Sequence, residues 1–76
     1  MERAEFIAGL QEELEFDAQL TGNTNLKDLD EWDSMAAMVT IGYVSNTFGV
    51  TLTADDLKNI TTIDSLIERI GAGKFN

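Results

Sequence analysis

The sequence predicts an all-α domain, and three observations carry that expectation. Apolar residues recur at three- and four-residue spacing in separate stretches, as on amphipathic helices. Residues suited to starting or stopping helices, Asp33, Gly49, Thr53, Thr61 and Gly71, stand at the edges of those stretches. A long, turn-rich connection from Asp17 to Asp33 separates the first stripe from the second, which favours a crossover over a plain up-down arrangement. The expected architecture is a four-helix bundle, three main helices plus one short helix, with a long loop between helices 1 and 2.

The first helix is predicted over Glu2 to Phe16, with Phe6, Ile7, Leu10 and Leu14 on one apolar stripe. Glu12, Glu13 and Glu15 oppose the dipole at its C-terminal end, so packing has to hold it. In the loop, Thr21-Gly22-Asn23-Thr24-Asn25 is a cluster of turn formers. Leu20, Leu26 and Leu29 are expected to anchor that loop while Asp28, Asp30 and Glu31 stay in water. Asp33 is a favoured N-cap for a second helix running to about Phe48, which leaves Ser34 in the first turn beside free backbone N–H groups.

At ~100° per residue, Ala37, Ile41, Val44 and Phe48 gather into the core face of this helix, with Thr40 at its margin. Met35, Met38 and Gly42 fall on an adjoining face with Val39 at its edge, and part of that face is expected to be exposed. Gly49 stops the helix. Val50-Thr51-Leu52 reads as extended and carries Leu52 inward. Thr53 caps a short helix, Ala54 to Asn59, with Leu57 and Ile60 facing in. Thr61 with Asp64 fits a capping box opening the last helix, whose stripe is Ile63, Leu66, Ile67 and Ile70. Residues 1–76 form a single domain, with about 71–76 as a flexible tail.

Composition narrows the chemistry. With 76 residues and neither cysteine nor histidine, the chain lacks a thiolate nucleophile, an imidazole base and the commonest metal ligands. No catalytic residue and no metal site are expected. An acidic enzyme with a carboxylate pair is the poorest reading, because the carboxylates are scattered over solvated faces with no partner to divide acid and base roles. Fourteen acidic residues against 5 basic ones, a formal charge of -9, argue against nucleic acid and anionic membranes and suit basic protein partners. Neither a signal peptide nor a span long enough for a bilayer is legible, and a cytoplasmic monomer is expected. Asp28 and Asp30 open like a calcium loop, but Trp32, Asp33 and Val39 stand where an oxygen ligand, the turn glycine and the closing glutamate belong.

One stretch stands apart. From Ser34 to Ala54 there is no charged residue, and that silence begins immediately after Glu31-Trp32-Asp33. Asp33-Ser34-Met35 resembles the Asp-Ser-Leu attachment motif of the acyl carrier proteins, the phosphopantetheine-dependent carrier family. Upstream, Leu26-Lys27-Asp28-Leu29 and Trp32 resemble the family's approach segment; downstream, Phe48-Gly49-Val50, Leu52 and Ile60-Thr61-Thr62-Ile63 match its continuation. The resemblance runs through nearly the whole chain in order and spacing.

That resemblance implies a four-helix bundle in which Ser34 receives 4'-phosphopantetheine from coenzyme A, making the chain a phosphoprotein that holds acyl groups as thioesters. Asp33 would position the loop and contact the transferase or its magnesium. The implied partners are a phosphopantetheinyl transferase and acyl-loading, acyl-transfer or condensing enzymes, in fatty-acid, polyketide or related specialised lipid biosynthesis. One departure bears on those partners. Where many fatty-acid carriers have glutamates along the second helix, this chain has Val39, Ser45 and Asn46. Docking is therefore expected through Met35, Met38 and Val39, with weaker salt dependence than an acidic helix would give. Methionine after the serine also occurs in D-alanyl and other specialised carriers, which keeps an aminoacyl carrier open. A helical interaction module that carries nothing is the alternative from another class.

Overall fold

The computed structural model describes residues 1–17 and 19–75. Within them the chain is helical: α1 spans Arg3–Leu14, α2 Ser34–Phe48, α3 Ala54–Asn59 and α4 Ile63–Ile70. Two single 3₁₀ turns, Leu26–Asp28 and Ala72–Lys74, complete the secondary structure. Among the described residues no helix is long and apolar enough to cross a membrane.

The stripes read from the sequence converge on one core. Phe6 and Leu10 of α1, Val44 of α2, Leu57 of α3 and Ile63, Leu66, Ile67 and Ile70 of α4 are buried together. Leu20, Leu26, Leu52 and Ile60 join them from the connections. Phe6 is fully buried and packs against the rings of Tyr43, Phe48 and Phe75, with centroids 5.6, 5.7 and 5.4 Å away. The half-buried Phe75 thus packs against the core, so that where a loose tail is expected from residue 71 the chain forms the Ala72–Lys74 turn and a ring contact; Asn76 lies outside the described residues. Gly9 allows α1 to approach α2 here, since a Cβ at that position would collide with the Tyr43 hydroxyl. Burial, and then the negative charge of Glu13, pushes the Tyr43 phenol above its ordinary range.

Three local expectations are corrected. The first helix ends at Leu14 rather than Phe16, because Glu15 turns left-handed (φ 57°) and returns its N–H to the Gln11 carbonyl at 2.9 Å. The Gln11 side chain then ties the chain beyond that turn, accepting from the Leu20 N–H at 3.1 Å. The inward face of α2 is turned by roughly 70° at ~100° per residue, so that Ala36, Thr40 and Val44 are buried while Ala37, Ile41 and Phe48 are half-buried. Thr40 can be interior because its hydroxyl donates to the Ala36 carbonyl at 2.9 Å. Finally, the cap of α4 is Thr62 with Ser65, not Thr61 with Asp64. Asp64 instead pairs with Arg3 of α1.

The loop from residue 15 to residue 33 is pinned by backbone as well as by leucines. Leu26 donates to the Thr61 carbonyl at 2.8 Å, and the first-turn N–H groups of Ile63 and Asp64 donate to Thr24 and Gly22 at 3.2 and 2.9 Å. The loop thereby supplies acceptors that the start of α4 would otherwise lack. Its other end is held by the Glu31 carboxylate, which accepts from the Asp17 N–H at 3.0 Å. The route of the loop ends at Trp32 and delivers the chain into α2.

Helices α3 and α4 are linked by charge. Arg69 donates from Nε and Nη2 to the two carboxylate oxygens of Asp56, at 3.0 and 3.1 Å, and the Thr53 N–H adds a third bond at 3.0 Å. The Arg69 guanidinium, seconded by the Thr53 backbone, holds the Asp56 carboxyl below the usual carboxylate range. Because the folded-state value is depressed, this contribution is complete above the unfolded carboxylate pKa and is lost as pH falls through the folded value. Urea titrations from neutral to acid pH should accordingly show a shallower acid decline for Asp56→Asn than for the native chain. Parallel declines would mean that this pairing adds nothing.

Candidate functional site

Ser34 is the first residue of α2, and the helix start is built to leave its side chain free. Asp33 is extended (φ -144°) and caps the helix, its Oδ1 accepting from the Ala36 N–H at 2.9 Å while its carbonyl accepts from Ala37 at 3.0 Å. The first two N–H groups of the helix, those of Ser34 and Met35, have no acceptor among the described residues and lie at the positive end of the helix dipole. The Ser34 residue is exposed, and its hydroxyl has no hydrogen-bond partner among the described residues.

Beside Ser34 lies a cavity of about 430 Å³ between α2, α3 and the end of the loop. Its walls are Trp32, Ala37, Met38, Ile41, Ala54 and Leu57, with Lys27, Lys58, Asp33 and Ser34 completing the lining. The turned inward face of α2 creates this space. Had Ala37 and Ile41 been fully interior they would have filled the core, whereas half-buried they form one wall of an apolar cleft. Volume and lining suit a small, largely apolar group with a few polar contacts.

Asp33, Ser34 and Met38 all line this cavity. Met35 and Met38 are 73% and 71% exposed, whereas Val39 is half-buried. Val39 and Met35 turn toward the end of α1, where with Leu14 and Phe16 they border a second hollow whose rim carries Glu13, Glu15, Glu31 and Asp33. The apolar residues of α2 therefore serve two sides of the helix. Sequence reasoning missed Lys58 and Ala54 as neighbours of Ser34, since nothing in their local spacing connects them to a residue so much earlier in the chain. Among the described residues no group of acidic, cysteine or histidine side chains is placed to hold a metal ion.

This geometry accords with the proteins that the chain resembles. A solution structure of the holo acyl carrier protein from Geobacter metallireducens superposes with a TM-score of 0.72 and 17% sequence identity, covering 92% of this chain and 82% of that one. At that identity the likeness establishes the fold. No curated protein sequence matches the chain. Residues 4–70 match the family described as "Phosphopantetheine attachment site", and the chain belongs to that family, whose group is a covalent 4'-phosphopantetheine.

Proposed function

We propose that the protein is an acyl carrier whose attachment residue is Ser34. The observation that carries this reading is the exposed, unengaged hydroxyl at the first position of α2, in a chain of the attachment-site family. The residues around it fit the group. Two free N–H groups and the helix dipole favour a phosphodiester at that point, and an apolar cavity opens beside it. Once attached, the group supplies a thiol at the end of that long arm, to which acyl groups are bound as thioesters.

The chain's own residues then hold and present the arm. Asp33 fixes the helix start through its side-chain cap, so the Ser34 hydroxyl stands at a defined place for a phosphopantetheinyl transferase. In the transfer, Ser34 Oγ forms a bond to the phosphorus nearer the pantetheine of coenzyme A and loses its proton. The pyrophosphate bond breaks, and adenosine 3',5'-bisphosphate leaves. Loop 15–33, tied to the start of α4 and to Asp17, keeps Trp32 and Asp33 in position for that encounter. Nothing in this cycle asks the chain to be a catalyst.

Incubation with coenzyme A, magnesium and a broad-specificity transferase should add one phosphopantetheinyl increment to the intact mass. No increment with several transferases would refute the reading and favour an interaction module that carries nothing.

Partner enzymes are expected to dock on Met35, Met38 and Val39, the first two of which are the large apolar side chains of α2 most open to solvent. Glu13, Glu15, Glu31 and Asp33 line the same hollow as Met35 and supply charge that α2 itself lacks. Their charge raises the salt dependence expected of docking above what the uncharged helix alone suggests. Met38→Glu should lower acyl transfer to the native partner at least several-fold while leaving loading by the transferase measurable; unchanged transfer kinetics would remove Met38 from the docking surface.

A further inference from the structure

The cavity beside Ser34 has a charge balance opposite to that of the chain around it. The chain has 5 basic residues against 14 acidic ones, yet Lys27 and Lys58 both line this cavity and Asp33 is the one carboxylate that does. The Asp33 side chain is already engaged in capping α2. Of the other cations, Arg3 pairs with Asp64 and Arg69 with Asp56, while Lys74 stands away from the cavity on the C-terminal turn. Lys27 has no carboxylate partner among the described residues; its ammonium donates to the Lys58 carbonyl, which holds it across from the end of α3. Lys58 reaches Asp55 only at 3.9 Å, with the two side chains 79% and 89% exposed, a pairing that water and salt largely screen.

We infer that this cavity selects a cargo whose apolar chain ends in an anionic group, an ω-carboxyacyl thioester, over a neutral acyl chain of the same length. The inference rests on Ser34 bearing the arm. Because Ser34 lines the cavity, a cargo tethered there samples it at high effective concentration, so modest contacts are enough to seat it. Trp32, Ala37, Met38, Ile41, Ala54 and Leu57 accommodate the methylenes. A terminal carboxylate then meets two ammonium groups capable of charge-assisted hydrogen bonds. Over the rest of a chain with net charge -9, the same carboxylate is repelled. A neutral acyl chain gains the apolar contacts alone.

The experiment compares chains loaded by a transferase from hexanoyl- and adipoyl-coenzyme A, which differ by the terminal carboxylate, with intact mass reporting the loading. Trp32 is the single tryptophan and a wall of the cavity, so its emission reports what occupies that space. The adipoyl form is expected to show the more blue-shifted emission and to unfold about 3 °C higher than the hexanoyl form at low salt. Lys27→Gln combined with Lys58→Gln should bring the two forms together. Complete loading with identical emission and unfolding would overturn the inference while leaving the attachment reading intact. Failure to load either form would overturn both. A double variant that shifts the hexanoyl and adipoyl forms equally would also overturn it, by placing the lysines in the stability of the fold if the unloaded form shifts as well, and on the phosphodiester of the arm if it does not.

Discussion

Ser34→Ala is expected to abolish the phosphopantetheinyl increment altogether while leaving the fold unchanged. The two halves of that expectation have separate physical grounds. Loss of modification follows because the hydroxyl oxygen is the atom that forms the bond to phosphorus, and alanine offers none. Retention of the fold follows because Ser34 is exposed and capping is done by Asp33, whose side chain accepts from Ala36. Alanine is also favoured inside a helix, so thermal unfolding should move by no more than about 0.5 kcal/mol. Intact mass after transferase treatment, paired with a thermal melt, checks both at once. An increment that persists in the variant would move the attachment point away from Ser34.

Phe6→Ala should have the largest effect on stability. Phe6 is fully buried and is the ring on which Tyr43, Phe48 and Phe75 converge, so its removal separates α1, α2 and the C-terminal turn together. Truncation of a buried phenylalanine costs about 3–5 kcal/mol, a large share of the roughly 5–15 kcal/mol that holds native proteins. With 76 residues there is little further core to compensate. Urea unfolding followed by far-ultraviolet circular dichroism should show a midpoint lowered by a large fraction, or no cooperative transition at all. A loss below about 1 kcal/mol would mean that the three rings repack around the vacated space.

These effects fall on different elements, and the sequence made them legible to different degrees. The stripe of α4 and the whole of α3, with Thr53 as its cap, could be read directly because each is set by residues within a few positions of one another. Asp33, Ser34 and Gly49 were legible for the same reason, since a cap and a stop are local chemistry. The orientation of α2 was not. Its residues are apolar or uncharged nearly all the way round, so periodicity gave no sharp inward direction. What turned it was the stacking of Tyr43 on Phe6 and the ability of Thr40 to satisfy its hydroxyl on its own helix. The end of α1 was equally hidden, because it depends on a glutamate adopting a left-handed conformation.

By itself, then, the sequence determined the helical class, the core stripes of α1 and α4 and the helix start at Ser34. Those are consequences of residue type and short-range spacing. The tertiary structure alone decided that Ala37 and Ile41 line a cleft, that Lys27 and Lys58 meet across it, and that Phe75 closes the core. Each of those depends on segments far apart in the chain being brought together by packing. No local pattern encodes a contact between residues 27 and 58, or between residues 6 and 75, because it exists only once the loop and helices have settled around the shared interior.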